Sequence, residues 1–174
     1  MITKATAADV SGLNKLINSG YRGEYSKKGW TTEANILVGS RTNEAELEEI
    51  IRDSKNTMLK FTENDRIIGC VLLVEKEKQL YLGMLTVSPE LQNSGLGKKL
   101  LQEAEIHAQA LGLRKIVMTV ISIREELIAW YKRHGYIDNG EKEPFPVGDV
   151  HISIVEQPLE FIVLRKKNSI IFTY

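Results

Sequence analysis

Apolar residues recur along this chain with two different periods, and the alternation between them outlines a fold. Residues 2–6 form a short β-rich run. Val10, Leu13, Leu16 and Ile17 then fall at helical spacing within 7–19, with Asp9 near the start. Residues 20–30 break that pattern: three glycines, two tyrosines and Trp30 in a polar stretch predict a shaped loop. Helical spacing returns over 42–53, with Thr42 or Asn43 as the cap before an acidic first turn. Two apolar runs, 56–62 and Arg66–Lys76, flank the polar turn Glu63, Asn64, Asp65 and predict a hairpin. Gln79–Val87 is a third run, and Ser88 and Pro89 end it because proline cannot continue a strand ladder.

The second half changes period again. A helix is predicted over 98–112, with Leu100, Leu101, Ala104, His107, Ala108 and Leu111 near one face and Gly112 as its stop. Residues 114–121 are β-branched and largely apolar, as in a central strand covered on both faces. A further helix over 125–134 is closed by Gly135, and runs at 150–155 and 159–165 predict a closing strand pair. The order is strand, two helices, three strands, helix, strand, helix, two strands. It describes one α/β domain whose mixed sheet is antiparallel early and crosses over through the 98–112 helix.

Composition narrows the picture only in places. At 174 residues the chain is one domain with room for a real core. Basic and acidic residues number 23 each, so the basic footprint of a general nucleic-acid binder is missing and no nucleic-acid partner is expected. Cys70 is the single cysteine and lies within the apolar run 67–74, where it reads as a small hydrophobe rather than a reactive thiol. His107, His134 and His151 are scattered without metal-ligand spacing, so no metal is expected. The start lacks a signal pattern and no apolar run reaches about 18 residues; a cytoplasmic chain without membrane association is expected.

The chemistry concentrates in Gln92, Asn93, Ser94, Gly95, Leu96, Gly97 and Lys98, between the run Gln79–Val87 and the predicted helix. Glycines let backbone approach a ligand closely, and the first amides of a helix point free N–H groups at an anion. Lys98 and Lys99 add positive charge. Such a turn suits a pyrophosphate in several folds. The longer Gly-x4-Gly-Lys-Ser/Thr spacing of a P-loop hydrolase is missing.

With its flanks from Leu82 to Leu101, this stretch resembles the GNAT acetyltransferase superfamily, in which a strand leads through a proline-containing turn into a Gln/Arg-x-x-Gly-x-Gly/Ala loop that opens a helix. Gln92, Gly95 and Gly97 stand at those positions. A second matching element is the helix carrying Tyr131, followed by Gly135 and Tyr136. The resemblance covers about residues 2–167. It implies a GNAT fold, α/β (α+β), with a mixed, mostly antiparallel central sheet. A parallel pair, Gln79–Val87 and 114–121, would splay apart within it, with about four helices flanking. The domain would be 1–167, with 168–174 as an apolar tail packed on its own domain or on a partner.

The resemblance also implies an acetyl-CoA-dependent N-acetyltransferase, with acetyl-CoA as co-substrate. The acceptor would be a primary amine of a small molecule, amino-acid-like or polyamine-like, or of a protein or peptide. Gln92 to Lys98 would bind the pyrophosphate, and the main chain of Leu85 and Val87 would hold the pantetheine arm like an added strand. Tyr131 would be the general acid toward the departing thiolate, since a phenol of reference pKa about 10 is a donor at neutral pH. Arg124 and Leu127 depart from the family, which often carries Asn and Ala there. Attack would be direct, because Cys70 lies on a different strand.

Tyr21, Arg22, Glu24, Trp30 and Glu33 would line the acceptor entrance. Tyr21 and Trp30 would form rigid walls, and Arg22 or Arg41 could pair with a carboxylate. Glu24, Glu33 and His151 are the candidate bases. Three alternatives differ in kind: a non-catalytic acyl-CoA-binding sensor, an enzyme that uses a larger acyl group, and a protein-interaction module using the aromatic loop. A monomer or a homodimer would be compatible with the closing strands.

Overall fold

In the computed structural model, which describes residues 1–146 and 152–168, the apolar runs become strands and the amphipathic segments helices at nearly the expected bounds. Strand β1 (Ile2–Lys4) leads through a 3₁₀ turn into helix α1 (Val10–Tyr21), a short α2 (Gly23–Ser26), β2 (Leu37–Val38) and α3 (Glu44–Arg52). Asn43 is the cap of α3, its side chain accepting the Glu46 N–H at 2.9 Å. Strands β3 (Asn56–Glu63), β4 (Arg66–Lys76) and β5 (Gln79–Val87) form a meander. Helix α4 (Leu96–Ala110) connects β5 to β6 (Lys115–Ile121), and α5 (Glu125–Arg133), β7 (Ile137–Pro144), β8 (Ile152–Ser153) and β9 (Glu160–Lys167) follow.

The main sheet has seven strands in the order β1-β3-β4-β5-β6-β9-β7. Within it β5 and β6 are the parallel pair, and the other neighbours run antiparallel. The mixed, mostly antiparallel sheet is therefore present as expected. Both faces are covered, and β4 shows how: alternate side chains enter opposite cores. Val71 and Leu73 pack with Leu100, Leu101 and Ala104 of α4 and Ile128 and Tyr131 of α5. Cys70 and Leu72 pack with Leu13 and Ile17 of α1 and Leu47 of α3. At about 25 cal/mol per Å2 of apolar surface removed from water, these two layers are the main driving force for folding.

The closing strands differ from expectation. β9 pairs with β6 on one side and with β7 on the other, whereas β8 pairs with β2 in a separate two-stranded sheet. β7 carries Asp138, Asn139, Gly140, Glu141 and Lys142 and is mostly exposed, so it has no apolar periodicity to announce it. It is held as an edge by main-chain pairing and by surface ion pairs such as Lys142–Glu160 at 2.6 Å. The tail 169–174 and His151 lie outside the described residues. Asn168 is buried, donating its side-chain N–H to the Glu105 carbonyl at 3.0 Å. Among the described residues no helix is long and apolar enough to cross a membrane.

One side chain clamps α1 to the segment that enters α3. Asn18 Oδ1 accepts the backbone N–H groups of Arg41 at 2.7 Å and Thr42 at 3.2 Å, while its Nδ2 donates to the Thr42 carbonyl at 3.0 Å. Asn18→Ala leaves these partly buried groups unpaired and is expected to lower unfolding free energy by about 1–3 kcal/mol. Urea denaturation of the two proteins measures this, with the slope m unchanged if the loss is local.

Candidate active site

The site begins where the two parallel strands part. β5 and β6 are in register at Leu80–Ile116 and Tyr81–Val117 only. Beyond that point the β4–β5 register slips between Cys70 and Leu72, and Met84 takes a left-handed φ of 50°. This is a bulge, which bends a strand and increases its twist. The Met84 carbonyl is turned to accept Thr86 Oγ1 at 2.9 Å and the Cys70 thiol at 3.6 Å. Burial pushes that thiol up to about 12, so it stays protonated at neutral pH.

The divergence exposes main-chain groups in the middle of a sheet. The Leu85 carbonyl accepts the Tyr21 hydroxyl at 3.2 Å. Ser88 N–H donates to the Ile68 carbonyl at 2.8 Å, so strand alternation turns the Val87 peptide groups the other way, into the gap. There the Val87 carbonyl accepts Gln92 Nε2 at 3.3 Å. The other end of that amide, Gln92 Oε1, accepts the Trp30 N–H at 2.9 Å and ties the aromatic loop to the end of β5.

After Pro89–Leu91 the chain turns through Asn93 at φ 65° and Gly95 at φ 84° into α4. Helical bonding starts with Lys99 N–H to the Gly95 carbonyl at 3.1 Å, which leaves the Leu96, Gly97 and Lys98 amides without helical acceptors. Gly95 is required by its left-handed backbone; a Cβ there would meet nothing. Gly97 is packed closely: a Cβ there would lie 3.2 Å from the Trp130 ring, which would have to give by a few tenths of an ångström. Ser94 donates its hydroxyl to the Leu91 carbonyl.

Beside this turn lies a cavity of about 310 Å3, walled by β5, the loop and α5. Of the loop residues singled out in the sequence, Gln92, Asn93, Gly95, Leu96, Gly97 and Lys98 line it; Ser94 does not. Leu85 and Val87 line it too. Trp30 belongs here rather than with the acceptor residues, its ring 6.1 Å from that of Trp130. Trp130 also stacks on His134 at 4.3 Å. Free amides, a glycine backbone and a cavity of this size fit an extended anion with an apolar arm.

A second cavity, of about 240 Å3, opens on the other side of the divergence. Tyr21, Leu85, Arg124, Leu127 and Tyr131 line both. Arg22 and Glu33 line the second, whereas Glu24 lines neither: its side chain is 88% exposed and pairs with Lys27 at 2.5 Å. The Glu33 carboxylate, buried, lies 3.6 Å from Arg22 and 3.6 Å from Arg124 on its two oxygens. Arg124 also donates to Thr31 Oγ1 at 2.8 Å. Tyr131 packs edge-on against Trp130 at 5.1 Å and Tyr136 at 5.7 Å. Burial pushes its hydroxyl well above the ordinary phenol value, and pushes that of Tyr21 up to about 12. Both therefore carry their protons throughout the neutral range.

Sequence reasoning did not assign Trp130 or Arg124 to the site. Arg124 alone left a signal, as an arginine at a helix start, where Ser, Thr, Asp or Asn is usual.

A family model described as an acetyltransferase (GNAT) domain matches residues 23–145. A comparison with curated proteins finds no match. Among solved structures, the ribosomal-protein-S18-alanine N-acetyltransferase from Escherichia coli is similar with a TM-score of 0.72 at 14% identity, over 100% of this chain and 98% of that one. The IAA acetyltransferase from Bacillus cereus ATCC 14579 gives 0.66 at 16% identity, over 96% and 98%. The PaiA N-acetyltransferase from Thermoplasma acidophilum, in complex with coenzyme A, gives 0.68 at 16%, also over 96% and 98%. At such identities the structural likeness speaks for the fold. The family model, which spans most of the chain, speaks for more: this protein belongs to the GNAT acetyltransferase family, whose members use an acyl-CoA donor.

Proposed function

We propose that the chain is an acetyl-CoA-dependent N-acetyltransferase that transfers the acetyl group directly to a primary amine. The observation that carries this reading is the meeting of the two cavities at Tyr131, whose hydroxyl has no hydrogen-bond partner among the described residues. The larger cavity is the donor side. The Leu96, Gly97 and Lys98 amides and the α4 dipole hold the pyrophosphate, with Lys98 adding charge. Gln92, Asn93 and Ser94 shape the turn, and Gly95 and Gly97 let the ligand and Trp130 approach its backbone. The Leu85 and Val87 main chain faces the gap and offers strand-like hydrogen bonds to the arm, with Gln92 and Tyr21 yielding the carbonyls they hold.

When bound, acetyl-CoA supplies an activated acyl thioester. The chain's own groups do the rest. Tyr131 Oη, held protonated by burial, donates a proton to the leaving sulfur. Trp30, Trp130 and Leu127 exclude water from the thioester. Tyr21, Arg22 and Glu33 wall the acceptor side. The Glu33 carboxylate already sits between two guanidiniums, which favours a structural and orienting role over that of a base. Cys70 stays outside the reaction because it is buried and protonated. A non-catalytic acyl-CoA sensor would have no use for an unengaged phenol at the junction of two cavities.

Calorimetric titration with acetyl-CoA is expected to show micromolar binding that Gly95→Glu/Gly97→Glu abolishes while the circular dichroism of the fold is retained. Absence of binding by the folded wild-type chain would sink the reading. Tyr131→Phe is expected to lower kcat by about 10²-fold or more with little change in acetyl-CoA affinity. Cys70→Ala is expected to keep sequential kinetics and at least half of kcat; a ping-pong pattern lost in that variant would instead point to an acyl-enzyme.

A further inference from the structure

Tyr131 has to release a proton from surroundings that hold it tightly. The residue is 5% exposed, and burial works against a phenolate there. The charge left on its oxygen needs a cation nearby, and Arg124 is the one the fold provides. Arg124 is 6% exposed and lines both cavities, as Tyr131 does. The two residues are seven apart, about two turns, so Arg124 at the cap of α5 falls on the face that carries Tyr131. Helical side chains lean toward the N-terminus, which tilts the phenol toward that cap.

Charge around the larger cavity is one-sided. Among the described residues that line it are two cations, Lys98 in the first turn of α4 and Arg124, and no carboxylate. Glu33 lies 3.6 Å from Arg124 but lines the smaller cavity and not this one. Glu126, 4.0 Å from Arg124, lines neither. The other titratable groups that bear on Tyr131 are the phenols of Tyr21 from α1, Tyr81 from β5 and Tyr136 beyond α5. His134 also lines the cavity, with its Nδ1 at 2.8 Å from the Trp130 carbonyl.

The guanidinium is also fixed in place. It donates to Thr31 Oγ1 at 2.8 Å and lies 5.9 Å from the centre of the Tyr21 ring. Its Nε is buried without a hydrogen-bond partner among the described residues. A cation held in a site shielded from water acts on developing charge far more strongly than one in solution.

We infer that Arg124 is a positioning residue for the proton transfer: its guanidinium stabilises the negative charge that passes from the leaving sulfur to Tyr131 Oη. This deepens the N-acetyltransferase reading above and rests on it. Tyr131 gives its Oη proton to the sulfur as the C–S bond breaks and the C–N bond forms. The amine's surplus proton passes to solvent, and the phenolate regains a proton from solvent.

Free coenzyme A is the probe, because on this reading it sets a thiol beside Tyr131 and needs no acceptor. A pH titration of the complex, followed by the ultraviolet bands of thiolate and phenolate, measures how readily the two groups together lose their first proton. Arg124→Gln is expected to make that loss about tenfold harder, since a nearby cation favours the anion. Arg124→Lys is expected to recover part of the difference. Glu33→Gln removes a carboxylate that opposes Arg124, so it is expected to make the loss severalfold easier. A merely structural role would not move the two variants in opposite directions. An unchanged titration in the Arg124→Gln complex, or shifts of both variants in one direction, overturns the inference. If Arg124→Gln fails to fold or to bind, Glu33→Gln decides: an easier loss supports the inference, and any other result overturns it. Failure of the wild-type chain to bind coenzyme A, or an undiminished kcat in Tyr131→Phe, overturns the reading beneath it as well, and each is a separate measurement.

Discussion

Two neighbouring parallel strands that share only two register positions create a problem that the rest of this molecule solves. A sheet normally satisfies its own main chain, yet past Leu80–Ile116 and Tyr81–Val117 the strands β5 and β6 no longer can. The Met84 bulge turns the end of β5 away, and side chains from distant segments take over the exposed groups. Tyr21 arrives from α1 and Gln92 from the loop before α4. Such replacements are exchangeable in a way a strand ladder is not. A ligand that runs along β5 can displace a phenol or an amide without unravelling the sheet.

The second organising contact is ionic. Glu33, Arg22 and Arg124 come from the loop after α2, the end of α1 and the start of α5, and their buried charges are within 3.6 Å across each pair. Buried ion pairs contribute little net stability because desolvation offsets attraction, but removing one partner is costly. Their effect is to hold the three segments in one arrangement, with Tyr131 on one side and Arg41 on the other. Trp30 is placed by the same system: its neighbour Thr31 is bound by Arg124 and its own N–H by Gln92. The aromatic loop is thereby tied to both cavities. An independently exposed interaction surface would not need those ties.

Most of the secondary structure was legible in the sequence because it follows from burial on one or both faces. Residues 98–112 and Gln79–Val87 show this well: apolar spacing and a proline stop were enough to find both. The loop Gln92 to Lys98 was legible for a related reason, since left-handed backbone at Gly95 favours glycine and the close approach of Trp130 at Gly97 favours a small residue. β7 was not legible. It is an exposed edge strand held by main-chain pairing, and main-chain pairing leaves no side-chain pattern. The pairing of β8 with β2 was equally hidden, because two residues are too few for a period.

By itself, then, the sequence determined most of the elements, the mixed sheet, the glycine-bearing turn before α4 and the helix that carries Tyr131, all of which depend on local spacing. Tertiary structure alone decided which distant charges share a cavity. Arg22, Glu33, Arg41 and Arg124 are spread along the chain, and nothing local predicts that these four line one cavity. It also moved Trp30 to the larger cavity and left Glu24 on the surface, since a loop residue's direction is set by the partners that capture it. Long-range electrostatics is a property of the folded arrangement, because it depends on distances that no local spacing fixes.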